Sequence, residues 1–278
     1  MKRQLITCAV VAVSLGLALP VLAEGKGASV SRIQNAVASG SPDAIIAEIE
    51  RAERLVCPDC IEPVMELLDH ESYEVREVAG WWFAKRPAQK QEIEELALAR
   101  LQMDDSTLAR NAADILGAFR SPRGISALSQ AISSETLNAE ARAHAARALG
   151  DIGERSGNDA LAVAMADESG DVRYRAVRAW SQIRRQASAE PVAALVADDD
   201  VRVRREAAAV VGTLREGAAR AALEEQVVSD PDPAARRNAA WALGRIGDAS
   251  SRDALRAATR DPSPLVRTTA EVALRELR

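Results

Sequence analysis

Aromatic residues supply only 3% of this 278-residue chain. That scarcity argues against a β-sandwich and against a base-stacking nucleic-acid module, both of which are built on aromatic side chains. Lysine is nearly missing, standing only at positions 2, 26, 85 and 90, so arginine provides 32 of the 36 cations. Two histidines and three cysteines leave little material for metal or nucleophile chemistry, and no cofactor is expected. Beyond residue 23 no stretch is apolar enough to cross a membrane. What the chain does have is 47% hydrophobic and 28% charged residues, a balance that excludes wholesale disorder.

The N-terminus has the pattern of a secretory signal peptide: basic Lys2 and Arg3, an uncharged apolar run over residues 5–19, and Leu22-Ala23 before Glu24. Its alternative is an uncleaved anchor, since residues 5–23 could just span a bilayer. Cys8 lies too early for lipidation. Loss of residues 1–23 removes two cations and no acid, taking the net charge from −5 to −7. The expectation is a periplasmic or secreted protein, bacterial in envelope terms, with its first mature residue at Glu24.

After residue 60 the chain repeats every 31 to 33 residues on a twelve-residue core, V-R-x-x-A-A-x-A-L-G-x-I, starting at Val75, Leu108, Ala141, Val172, Val203, Ala235 and Val266. The fifth position is always alanine and the ninth is large and apolar (Phe83, Leu116, Leu149, Trp180, Val211, Leu243, Leu274). Positions 1, 5, 8, 9 and 12 share one helical face. A second amphipathic stretch precedes most cores, over 92–101, 124–132, 158–165, 191–196, 218–227 and 252–259. Turns such as Asp230-Pro231-Asp232-Pro233 separate the two with N-cap and first-turn proline chemistry. Each repeat is a helical hairpin that cannot bury its apolar face alone, so the expectation is an all-α solenoid of stacked hairpins. Residues 24–60, with helix-like stretches at 30–37 and 43–55, read as an N-terminal capping hairpin followed by the Cys57/Cys60 turn; 61–278 is the array of about seven repeats.

The relation Asp167/Arg173, Asp198/Arg204, Asp230/Arg236 and Asp261/Arg267, with A-A-x-A-L-G-x-I at Ala145 and Ala239, resembles the short HEAT-like repeat, also called the PBS-lyase HEAT-like repeat. The resemblance covers roughly residues 61–278. It implies a ladder in which each aspartate caps a helix and pairs with an arginine of the neighbouring repeat. The phase is lost toward the N-terminus, where Asp104, Asp105 and Arg110 are displaced and Asp69 and Glu135 fall one residue early. A HEAT-like hydroxylase family binds two irons through several His-Glu pairs; this chain has one, His70-Glu71, which excludes that activity by ligand count. The phycobilin lyases fit poorly with an exported chain.

Cys57-Pro58-Asp59-Cys60 lacks the histidine of a haem-attachment motif and the four ligands of a structural zinc. Its readings are a structural disulfide, favoured in an oxidising compartment, and a redox-active dithiol exchanging disulfides with a docked client. No nucleophile elbow or phosphate loop is present, and the chain is not expected to be an enzyme.

Core positions 3, 4, 7 and 11 point away from the apolar face, and HEAT-like arrays turn these helices to the concave side. Over repeats 3 to 6 they hold His144, Arg147, Tyr174, Arg175, Arg178, Arg205, Arg237, Trp241 and Arg245, with Trp81 at the seventh position of repeat 1. The bland reading is a solvated arginine-rich face. The functional reading is a groove for a protein or peptide with an acidic segment, on a probable monomer that neither binds nucleic acid nor inserts in a membrane after signal removal; a spacer in an envelope complex is the remaining alternative. On that reading, reversing Arg147, Arg178 and Arg205 to Glu should weaken binding tenfold or more and leave helicity and melting nearly intact.

Overall fold

Ser41, Ser72, Asp105, Asn138, Asp200 and Asp232 each accept a backbone N–H from the first turn of the helix they precede, and these caps set where helices begin. The computed structural model describes residues 30–277; the expected signal peptide lies outside the described residues. An N-terminal hairpin, α1 (Val30–Ser39) and α2 (Pro42–Arg51), leads through the Cys57/Cys60 turn into α3 (Ile61–Glu66) and α4 (Tyr73–Ala84). The array continues with α5 (Pro87–Arg100) and α6 (Ser106–Phe119), α7 (Ile125–Ile132) and α8 (Ala139–Ile152), then α9 (Asn158–Ala164) and α10 (Gly170–Gln182). A 3₁₀ segment over Glu190–Ala197 precedes α11 (Val201–Leu214). The last pairs are α12 (Arg220–Ser229) with α13 (Pro233–Ile246), and α14 (Arg252–Ala258) with α15 (Pro264–Glu276). No strand occurs among the described residues, and none of their helices is long and apolar enough to cross a membrane.

The helices form two layers. The second helix of each hairpin packs on its counterpart in the next, in the order α4, α6, α8, α10, α11, α13, α15, with α2 covering the free side of α4. The first helices form the other layer, α7 against α9 and α12 against α14. Between the layers one apolar core runs without interruption from Ile33 to Ala273. Every fifth-position alanine, from Ala79 to Ala270, is fully buried in it.

Small residues also decide how close the second helices come. A Cβ built on Gly150 lies 2.7 Å from Ala179 Cα, and one on Gly244 lies 2.8 Å from Ala273 Cα. The tenth-position glycine of one repeat therefore receives the eighth-position alanine of the next, and a larger residue at either place pushes the helices apart. One expected first helix differs: 191–196 is 3₁₀ rather than α. Residues 183–189 before it carry no helix, Arg185 is left-handed (φ 57°), and Ala189 at the N-cap position gives no side-chain cap.

Candidate functional site

Four rungs of an Asp–Arg ladder run along one edge of the array. Arg142, Arg173, Arg204 and Arg236 each donate Nε and Nη2 to the two carboxylate oxygens of Asp167, Asp198, Asp230 and Asp261 in the following repeat, with Nε–O distances of 2.7 Å. Each guanidinium also donates Nη1 to turn carbonyls of its own repeat, such as Asp198 and Asp199 for Arg204. Each aspartate accepts the backbone N–H two residues on, as Asp230 does from Asp232. Burial would raise these carboxyls, but the arginine and backbone donors hold Asp167, Asp198 and Asp230 below the usual value; for Asp261 the Arg236 hydrogen bond is the main cause of the same shift.

The ladder stops short of the first repeats because Ala109 occupies the arginine position of repeat 2. Asp69 instead binds Arg100 bidentately at 2.9 Å and accepts from Asn111. Arg76, only 2% exposed, donates Nε to Asp114 at 2.8 Å. Asp114 has a side chain 1% exposed, and its other oxygen receives His144 Nδ1 at 2.6 Å and Arg147 Nη2 at 2.5 Å. Burial opposes ionisation of Asp114, but the His144 hydrogen bond and the His144, Arg147 and Arg76 charges outweigh it and lower its pKa. The Arg147 guanidinium lies 3.6 Å over the Tyr73 ring, and His144 meets that ring edge-on at 6.0 Å.

Three of the arginine-face residues are thus not free. His144 and Arg147 belong to the Asp114 cluster, and Arg205 donates Nε at 2.7 Å, and Nη2, to Asp232, the N-cap of α13. This corrects the expectation that a triple reversal of Arg147, Arg178 and Arg205 spares the fold, because two of the three hold buried or capping carboxylates. The other arginines of that face form no ion pair among the described residues. Arg178 is exposed and donates only to the Tyr174 hydroxyl, at 3.3 Å; Arg237 donates only to its neighbour Asn238. Arg175 and Arg245 make no ion pair among the described residues. Trp241 is 38% exposed, with Val272 at the equivalent seventh position of the next repeat 47% exposed.

Trp81 lies apart from this group. It lines a cavity of about 510 Å³ where α2, α4, α6 and α8 meet, together with Tyr73, Glu50, Glu74, Glu77 and Asp151. Reading along the repeats missed this site: Tyr73 precedes its core segment and Glu50 belongs to the cap. The signal within reach was Asp114, an acid at a seventh position otherwise held by Trp, Arg, Ala or Val. Elsewhere, His70 accepts the Ser72 N–H through Nδ1, a local turn role. The structure joins Cys57 to Cys60, Cα atoms 5.3 Å apart, with Cys60 fully buried and Cys57 partly exposed. Among the described residues no three or more His, Cys, Asp or Glu are grouped to hold a metal ion.

Two layers of consecutively stacked helical hairpins, tied by a repeating Asp–Arg pair, define an α-solenoid. The family model for HEAT repeats matches residues 134–211 and 190–275, together just over half of the chain, and the chain belongs to the HEAT-repeat family. No curated protein matches the sequence. Among solved structures, YibA of Escherichia coli superposes with a TM-score of 0.60 at 14% identity, covering 88% of this chain and 92% of that one. Kap95p, solved with RanGDP, gives 0.54 at 14% identity over 89% of this chain and 40% of its own. A designed armadillo repeat protein in complex with the peptide (KR)4 gives 0.50 at 18% identity, covering 67% of this chain and all of the other. At these identities the likeness is one of fold.

Proposed function

We propose that this chain is an exported, non-enzymatic scaffold that binds a protein or peptide along the face of its second-helix layer, an acidic stretch of the partner lying over α10 to α13. One observation carries the reading: after the ladder, the Asp114 cluster and Asp232 have taken their partners, Arg175, Arg178, Arg237 and Arg245 remain on that face without an ion pair among the described residues, Glu206 and then Asp151 being the acids whose charge acts on Arg178. Such guanidiniums pair bidentately with partner carboxylates, and Tyr174 and Trp241 beside them offer apolar anchors. Solenoids of similar fold are found with peptide or protein partners, as the designed armadillo and Kap95p structures are. The signal-peptide pattern supports export, and N-terminal sequencing of the protein from envelope fractions is expected to begin at Glu24. An intact Met1 in membranes would favour the anchor instead.

The binding test uses labelled hexaglutamate in fluorescence anisotropy. Arg178→Glu/Arg237→Glu should keep wild-type helicity and melting, since both residues are exposed, and should weaken hexaglutamate binding at least tenfold. Added salt should weaken wild-type binding as well. Equal affinity for wild type and the double variant overturns the reading.

A further inference from the structure

The unpaired arginines have a counterpart of opposite sign at the other end of the same face. Glu50, Glu74, Glu77 and Asp151 all line the cavity between α2, α4, α6 and α8, and none has an ion-pair partner among the described residues. The only cation among the lining residues is Arg120. Arg147, the nearest guanidinium of the expected strip, is tied to Asp114, which it shares with Arg76. Two aromatic rings complete the wall, and both already attract cations from within the chain: Lys85 Nζ sits 3.9 Å from the Trp81 ring centroid and the Arg147 guanidinium 3.6 Å from that of Tyr73. A cavity of about 510 Å³ has room for the stem and head of a long cationic side chain. It offers such a group an aromatic surface for the stem and carboxylates for the charge.

We infer that this cavity receives a lysine or arginine side chain of the partner, so that the bound segment is bipolar: basic over α4 and α6, acidic over α10 to α13. The inference rests on the scaffold reading above and adds a direction to it. Charge of one sign at each end makes the reversed peptide meet like charges at both, which fixes polarity. Three helix-to-helix steps separate α4 from α10, roughly 25–30 Å at ordinary interhelical spacing. An extended chain covers that distance in about eight residues. Burial raises the Asp151 carboxyl, Arg147 partly offsetting and Glu77 adding to the shift; a cation entering beside it would act in the opposite direction.

Labelled hexa-arginine and hexaglutamate test the proposal on the full chain at low salt. Hexa-arginine should bind wild type, lose at least tenfold in Glu74→Lys/Glu77→Lys, and be unaffected by Glu62→Lys/Glu66→Lys, an equal charge change on exposed positions of α3 in the other layer. Glu50→Lys, on a different helix, should repeat the loss if the first double variant folds poorly. A peptide joining three arginines to three glutamates through eight Gly/Ser residues should bind more tightly than either homopolymer. No hexa-arginine binding, or equal loss in the α3 control, overturns the cationic subsite. Hexaglutamate binding that still depends on Arg178 and Arg237 would then leave the scaffold reading standing, whereas its independence of them removes that reading separately.

Discussion

Asp114 shows how one side chain can commit a region to structure. It is buried, pairs with Arg76, His144 and Arg147 on two other helices, and is the one carboxylate paired with Arg76 among the described residues. Asp114→Asn is expected to cost about 3–5 kcal/mol, the range for stranding a buried partner, read as a shift in urea midpoint. The same change at the more exposed rung Asp167 should cost less, about 1–3 kcal/mol, since Arg142 keeps its bond to the Leu137 carbonyl. The aspartates of the ladder, with Asp114 and Asp232, bind protons more weakly folded than unfolded; Asp232 is lowered to about 2 by its Arg205 hydrogen bond. Their contribution is therefore complete above the ordinary aspartate value near 4. It is lost as pH falls through the depressed values, so stability should drop steeply between about pH 4 and about pH 2. Chemical denaturation across that window measures it. The ladder was legible because Asp and Arg recur in register. The partners of Arg147 and Arg205 were not, because Asp114 and Asp232 lie 33 and 27 residues away and only stacking brings them together.

At the scale of the element, the second helices were readable from spacing alone, since fixed alanines and large ninth-position residues must face a core. Their closeness was not, because it depends on which small residue meets which across the interface. Gly150→Ala and Gly244→Ala should each cost about 1–3 kcal/mol by overpacking against Ala179 and Ala273. Gly217→Ala, with nothing within 4 Å of its added Cβ, is the neutral control in the same thermal melts. The first helices α7, α9, α12 and α14 fall within about two residues of the stretches read from the sequence, whereas α5 starts earlier, at Pro87, ahead of its amphipathic stretch. The 3₁₀ form of Glu190–Ala197 escaped notice because apolar content alone cannot distinguish a short α-helix from a tighter coil.

The whole molecule is a one-dimensional stack in which each repeat touches its neighbours, so local losses should propagate along it rather than through a single nucleus. At its N-terminal end the Cys57–Cys60 link closes a very short loop, and its entropic contribution is small, on the order of 2 kcal/mol or less. Cys57→Ala/Cys60→Ala should lower the melting temperature modestly and leave hexaglutamate binding unchanged; lost binding in a well-folded double variant would point to the redox alternative. The sequence showed the arginine-rich part of the second-helix face but not the acidic cavity, because Glu77 and Asp151 of the core are joined there by Glu50 of α2 and by Tyr73, outside the repeating core. Mechanically, the irregular link before the 3₁₀ segment makes the stack a spring of uneven stiffness. Held at both ends and stretched, it should give first between α10 and α11, turning one rod into two that swing about Arg185, opening the Arg173–Asp198 rung that spans the break while the rungs wholly on either side stay closed.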